Sequence, residues 1–159
     1  MNPTPEPELV TIDPATTAVV REVVRLPELR EFFDASFRAL GRTLAAQGAT
    51  VTGPAFGRYR GTPGAPGEAL DVEVGFTTDR AVRSDGAVRA GELPGGKVAR
   101  LVHAGAYDGL GASWERLRCW IGDQGLSAAE DRWEVYLTQP SPRLDPRTLR
   151  TELDWPLAG

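Results

Sequence analysis

A single cysteine, Cys119, rules out an intrachain disulfide and any cysteine metal cluster. A single histidine, His103, likewise excludes a two-histidine metal site, so neither a metal nor another cofactor is expected. Lysine is as scarce. Lys97 stands alone, and arginine supplies the rest of the 18 basic side chains, against 22 acidic ones. The net charge of -4 leaves no basic stripe, which direct nucleic-acid binding requires. No apolar run approaches the roughly 20 residues of a membrane helix. The opening MNPTPEPELV lacks the basic and apolar regions of a secretory signal. A cytoplasmic protein is expected.

What is present is ordinary for a globular chain: 41% hydrophobic and 25% charged residues in a length of 159. That length suits one domain with a real core. Residues 1–8 are Pro-rich and read as a flexible lead-in, with a single domain over 9–157.

From Leu9 the pattern is β-like: LVTI, a turn at Asp13-Pro14, then the β-branched AVVREVV. Pro27 can open a helix, along which Leu29, Phe33, Phe37, Leu40 and Leu44 form one apolar stripe. Gly48 is placed to end it. Strands PAFGRYRG and LDVEVGF follow, separated by the turn-rich GTPGAPGE. The second half repeats this order. VRAGELPGGKVARLVHAG reads as two strands about a Pro94-Gly turn. A helix from about Asp108 then carries Leu110, Trp114, Leu117 and Ile121 and stops at Gly125; WEVYL and TLRTELDWP are strands.

Spacing supports a duplication. Gly48 to Tyr59 and Gly125 to Tyr136 are each eleven steps; Gly48 to Pro63 and Gly125 to Pro140 are each fifteen. Glu73-Val74 matches Glu152-Leu153 with two residues inserted. The expected fold is therefore α+β: two β-α-β-β repeats, about 9–78 and 87–156, forming an antiparallel sheet with both helices on one face.

Alternation along WEVYL assigns Trp133, Val135 and Leu137 to the helix side and turns Glu134, Tyr136 and Thr138 the other way. The repeat lays Gly57 and Tyr59 in the places of Glu134 and Tyr136. The face away from the helices should then hold two tyrosines, a carboxylate and a glycine that leaves room. Of the aromatic residues, Trp114 reads as core or ligand contact and Trp120 as cleft edge. Trp155 reads as a lid, and Phe56 as core. Glu134 is either a solvated carboxylate paired with an arginine or a buried one among aromatic rings. In the second case it would attract a ligand cation, with each ring adding ~0.5–2 kcal/mol. Without a cation, desolvation would raise its pKa and make it a proton donor.

The run GPAFGRYRG, the strand DVEVGF, the segment HAGAYDGLGASWERLRCW, the strand WEVYL and the ending TELDWP resemble the GyrI-like domain. That domain is also the effector-binding module of multidrug-sensing transcription activators. The resemblance runs from about Leu9 to Pro156. It implies a ligand groove along the pseudo-twofold axis of the two repeats, with Glu134 and Tyr136 as the acidic strand's E-x-Y and Tyr59 as the earlier strand's aromatic. Its members bind bulky aromatic and often cationic compounds. Some are similar to hydrolases that open cyclopropane rings of DNA-alkylating natural products, which would make Glu134 catalytic. Others resemble gyrase-binding or regulator-binding proteins. Only eight residues precede Leu9, so no helix-turn-helix is expected, and His103 reads as a capping or packing residue. Ligand contacts are assigned to Glu134, Tyr136, Tyr59, Gly57, Trp120, Trp155, Phe56 and Trp114. A protein partner and a homodimer through an exposed sheet edge both stay open.

Overall fold

The computed structural model describes residues 6–60, 69–138, 143 and 145–158. Pro140, the whole GTPGAPGE turn with Pro63, and most of the lead-in lie outside the described residues. The fold is α+β, with two α-helices and eight strands among the described residues, paired antiparallel wherever a register is defined. The chain forms two compact units, one running from Asp13 to Gly95 and the other combining residues up to Ile12 with those from Gly96 onward.

In the unit Asp13–Gly95, β2 (Ala15–Arg25) is the β-branched run, kept extended by crowding at Val19, Val20, Val23 and Val24. A short 3-10 turn with Pro27 leads into α1 (Leu29–Gln47). Gly48 ends α1 in the left-handed region at φ 64, and Ala49 N–H returns to Leu44 O at 3.1 Å. The strands β3 (Val51–Arg60), β4 (Ala69–Thr78) and β5 (Arg89–Leu93) complete a four-stranded sheet, ordered β3-β4-β2-β5. Phe32, Leu40 and Leu44 of α1 close over Ala18, Val20, Val72 and Val74. The predicted stripe thus forms the core, widened by Phe32.

The other unit repeats this plan with β1 (Glu8–Ile12), β6 (Gly96–Ala104), α2 (Leu110–Asp123), β7 (Asp131–Tyr136) and β8 (Arg150–Pro156), ordered β1-β6-β8-β7. Trp114, Leu117 and Ile121 of α2 cover Ala99, Leu101, Leu153 and Trp155. Gly125, at φ 72, takes the place of Gly48.

The register repeats as well. Gly57 pairs with Val74 and Tyr59 with Val72, while Glu134 pairs with Leu153 and Tyr136 with Thr151, preserving the two-residue insertion seen in the sequence. The edge strands are exchanged between the sequence halves. β1 pairs with β6 and β5 with β2, so Asp13-Pro14 and Pro94-Gly95 mark where the chain passes from one unit to the other. A Cβ at Gly95 would stand 2.6 Å from Pro14 Cδ, which reserves that crossing for glycine.

Among the described residues, no helix is long and apolar enough to cross a membrane.

Candidate functional site

The strand faces are opposite to the expectation. Glu134 lies across from Leu153, and Leu153 from Leu101; both leucines belong to the cluster beneath α2. Directly opposed residues share a face, so Glu134 and Tyr136 point toward the helix, while Trp133 and Val135 point away. Gly57 and Tyr59 likewise lie on the α1 side, across from the core residues Val74 and Val72. Alternation divides a strand into two sets but does not say which set meets the helix. Giving the helix the more apolar set failed because β7 is buried on both faces: Trp133 is 2% exposed and Glu134 6%. Leu137, beyond the strand, is 45% exposed. Thr138 also lies beyond it, and its Oγ1 accepts from Arg150 N–H at 3.2 Å.

Glu134 is thus a carboxyl beneath a helix. Trp114 Nε1–H donates to Oε2 at 2.8 Å, and Tyr136 O–H donates to Oε1 at 3.1 Å. Burial raises the Glu134 pKa from the ordinary carboxyl value. The Trp114 and Tyr136 hydrogen bonds oppose the rise, as does the charge of Arg132. Tyr107 meets Tyr136 edge to face at 6.1 Å, and its own pKa is raised by burial and then by the Glu134 charge.

Arg132 stands two residues before Glu134 and shares its face. Its guanidinium carbon is 4.7 Å from the Trp114 ring centroid and 4.9 Å from that of Trp155. The two indoles meet nearly at right angles (86°, centroids 5.4 Å apart), and Trp155 Nε1–H donates to Ala129 O at 2.8 Å. The structure therefore brings together four of the expected residues: Glu134, Tyr136, Trp114 and Trp155.

Trp120 packs against the α2 core. Phe56, Gly57 and Tyr59 belong to the unit Asp13–Gly95, where Tyr59 packs against the α1 core. Phe56 is 1% exposed and faces away from α1, opposite Gly75. That unit also holds an open cavity of about 420 Å³, but its walls include Arg21, Glu22, Glu73 and Arg89 and, among the described residues, no aromatic ring.

The equivalent corner of the first unit shows what is particular to the second. Phe37 and Phe76 occupy the places of Trp114 and Trp155, with centroids 5.4 Å apart at 68°. Ala55 and Gly57 stand where Arg132 and Glu134 stand. One unit has two phenyl rings, alanine and glycine. The other has two indoles, a guanidinium and a carboxyl.

Arg132 and Tyr107 were missed from the sequence. The period of two that paired Glu134 with Tyr136 also reaches Arg132, so a signal existed. Tyr107 sits in a 3-10 turn (Tyr107–Gly109), where no periodicity marks it.

His103 packs, as expected. Its Nε2 lies 2.8 Å from Ala106 O, which can only accept, so Nε2 carries the proton and Nδ1 accepts from Ser113 O–H at 2.7 Å. Ser113→Ala should leave Nδ1 unpaired and cost about 1–2 kcal/mol, lowering the melting temperature by roughly 3–6 °C. An unchanged calorimetric melt would show that this bond contributes nothing.

The profile of the GyrI-like small molecule binding domain matches residues 5–158. Among solved structures, the chain superposes on the C-terminal domain of EcmrR with a TM-score of 0.82 at 19% identity, covering 97% of this chain and 98% of that one. Against EcmrR in its complex with DNA the score is 0.81 at 19% identity over 96% of this chain, which spans 57% of that protein. A hydrolase from Listeria innocua gives 0.70 at 14%, covering 99% of this chain and 94% of that one. SAV2435 bound to tetraphenylphosphonium gives 0.68 at 12%, covering 97% and 94%. At these identities the likenesses show the fold. A search of the curated proteins finds no significant match.

Proposed function

The chain belongs to the GyrI-like small molecule binding family, and from that premise we propose that it captures bulky aromatic ligands, cations among them, at Glu134. The observation that carries this reading is a carboxyl only 6% exposed, held by an indole N–H and a phenol O–H. Such a group offers a fixed charge or hydrogen-bonding centre inside an aromatic setting, which is how a small-molecule site orients a largely apolar ligand. Tetraphenylphosphonium, the ligand in the SAV2435 structure, supplies the matching probe. The proposal takes residues 9–157 as one binding domain acting in the cytoplasm. It assigns contacts to Glu134, Tyr136, Trp114 and Trp155, and treats Tyr59, Gly57, Phe56 and Trp120 as positions for the same titration.

Following intrinsic tryptophan fluorescence, Glu134→Gln should weaken tetraphenylphosphonium binding at least about tenfold, equivalent to ~1.4 kcal/mol. Equal affinity in the two proteins would remove Glu134 from the site.

A second reading is hydrolysis of a strained ring, with Glu134 as general acid. The raised proton affinity from burial favours it. Capture is preferred because both carboxyl oxygens already accept hydrogen bonds. Those bonds favour the charged form, which attracts a cation, over the proton-bearing form that an acid needs. Turnover of a cyclopropane-bearing alkylator beyond one equivalent would reverse that order.

A further inference from the structure

The Trp114–Trp155 corner has the geometry of a cation site, and a cation of the chain itself occupies it. Two indole faces at 86° both lie within 5 Å of one guanidinium, and indole is the strongest cation-attracting ring among the side chains. The matching corner of the first unit has phenyl rings, and alanine where Arg132 stands. The aromatic corner is thus common to both repeats. The stronger cation acceptors and the cation occur together in one of them.

Arg132 also lies close enough to Glu134 for its charge to favour the ionised carboxyl, and β7 places the two on the same face. The guanidinium therefore does two things to an incoming cation. It occupies the indole faces that would solvate that cation, and it offsets the carboxylate that would attract it. An anion or a neutral ring meets neither obstacle.

We propose that Arg132 is the specificity-determining residue of this site: a resident cation in the Trp114–Trp155 box that holds down affinity for cationic ligands and favours neutral or anionic aromatic ones. The inference rests on ligand capture at Glu134, but the box itself is open to a separate test.

Tetraphenylphosphonium and tetraphenylborate are nearly identical in shape and opposite in charge, so the ratio of their affinities reports charge preference alone. Arg132→Gln should raise that ratio in favour of the phosphonium by at least about tenfold. Arg132→Lys, a strongly hydrated point charge that stacks less well, should give an intermediate ratio. Trp155→Phe in the Arg132→Gln background should return part of the gain, because phenyl attracts a cation less than indole does. An unchanged ratio in Arg132→Gln overturns the proposal, as does a gain that Trp155→Phe leaves intact, since that would be charge removal without a box.

The separate arm uses tetramethylammonium and the indole N–H resonances. Arg132→Gln should show saturable shifts of the Trp114 and Trp155 signals at millimolar concentrations, and wild type should not. Shifts of equal size in both proteins, or in neither, overturn the box even if tetraphenylphosphonium binds. If Glu134→Gln binds tetraphenylphosphonium as wild type does while the tetramethylammonium shifts appear, the capture reading fails and the box stands. Should Arg132→Gln not fold, the Arg132→Lys ratio decides: a value equal to wild type overturns the proposal.

Discussion

Trp114→Leu is expected to destabilise the domain by about 3–5 kcal/mol, read as a lower urea midpoint at constant slope. Three losses coincide. The indole is 6% exposed and packs with Leu117, Ile121 and Trp155, so truncation opens a cavity beneath α2. Its N–H is one of the two donors to Glu134, and leaving a buried acceptor unsatisfied typically costs ~1–3 kcal/mol. Its face is one wall against the Arg132 guanidinium. Trp114→Phe separates these effects by keeping most of the volume while deleting the N–H. That variant should cost about 2 kcal/mol and push the Glu134 pKa further up, because an opposing influence has gone.

In a Glu134→Leu background the same change should cost less, by about 1–2 kcal/mol, because no carboxyl oxygen is then left unpaired. The first unit already shows the apolar solution: Phe37 and Gly57 stand in the places of Trp114 and Glu134, and neither side chain carries a donor or an acceptor. Equal costs in both backgrounds would mean that the bond to Glu134 adds nothing beyond packing.

The elements and the duplication were legible because they rest on local signals. The apolar steps from Leu29 to Leu44 and from Leu110 to Ile121, and the left-handed glycines after each, are set within one turn of helix. The repeat then carried information between the halves, since a helix end fixes the register of the strand that follows it. What could not be read was orientation. Trp133 and Glu134 are both buried, so hydrophobicity could not tell the α2 side of β7 from the other side. The pairing of Trp114 with Glu134 joins residues twenty apart in the chain through a helix-on-sheet contact that no periodicity encodes. The exchange of β1 and β5 was equally invisible. Each is a short strand whose partner is decided by where the chain goes next, and the turns at Asp13-Pro14 and Pro94-Gly95 read alike as hairpins or as crossings. Glu134 was singled out for lying among aromatic residues, and that survived the reversal of faces because Trp114 and Trp155 lie on the helix side with it.

The face of the same sheet turned away from α2 leads to the second large effect: stability should fall as pH rises from about 5 to 9. Arg100 on β6 is bonded through Nε to Asp154 Oδ1 at 2.8 Å and stands 3.4 Å from Glu152 Oε1. The ladder sets Glu8 opposite Arg100 on its other side. One guanidinium therefore serves three carboxyls, and Asp154, 1% exposed, holds it most tightly. Glu152 keeps its proton instead. Its pKa is pushed up to about 8, first by burial, then by its hydrogen bond to Asp154 and by the Asp154 charge, with Arg100 pulling the other way.

The sign follows from linkage. The unfolded chain gives up this proton near 4.5 and the folded chain near 8, so between those values the folded state binds more protons. The contribution to stability is whole below the lower value and is lost as pH rises through the upper one. Allowing for solvent screening of a partly exposed group, the loss should be about 2–3 kcal/mol. Glu152→Gln, which keeps a donor for Asp154 and has no proton to lose, should flatten most of that slope and exceed wild type in stability at pH 9. Glu134, also raised, should add a slope of the same sign. Urea midpoints at pH 5, 7 and 9 decide the matter: parallel curves for wild type and Glu152→Gln would mean that Arg100 compensates both carboxyls and that no proton is held between them.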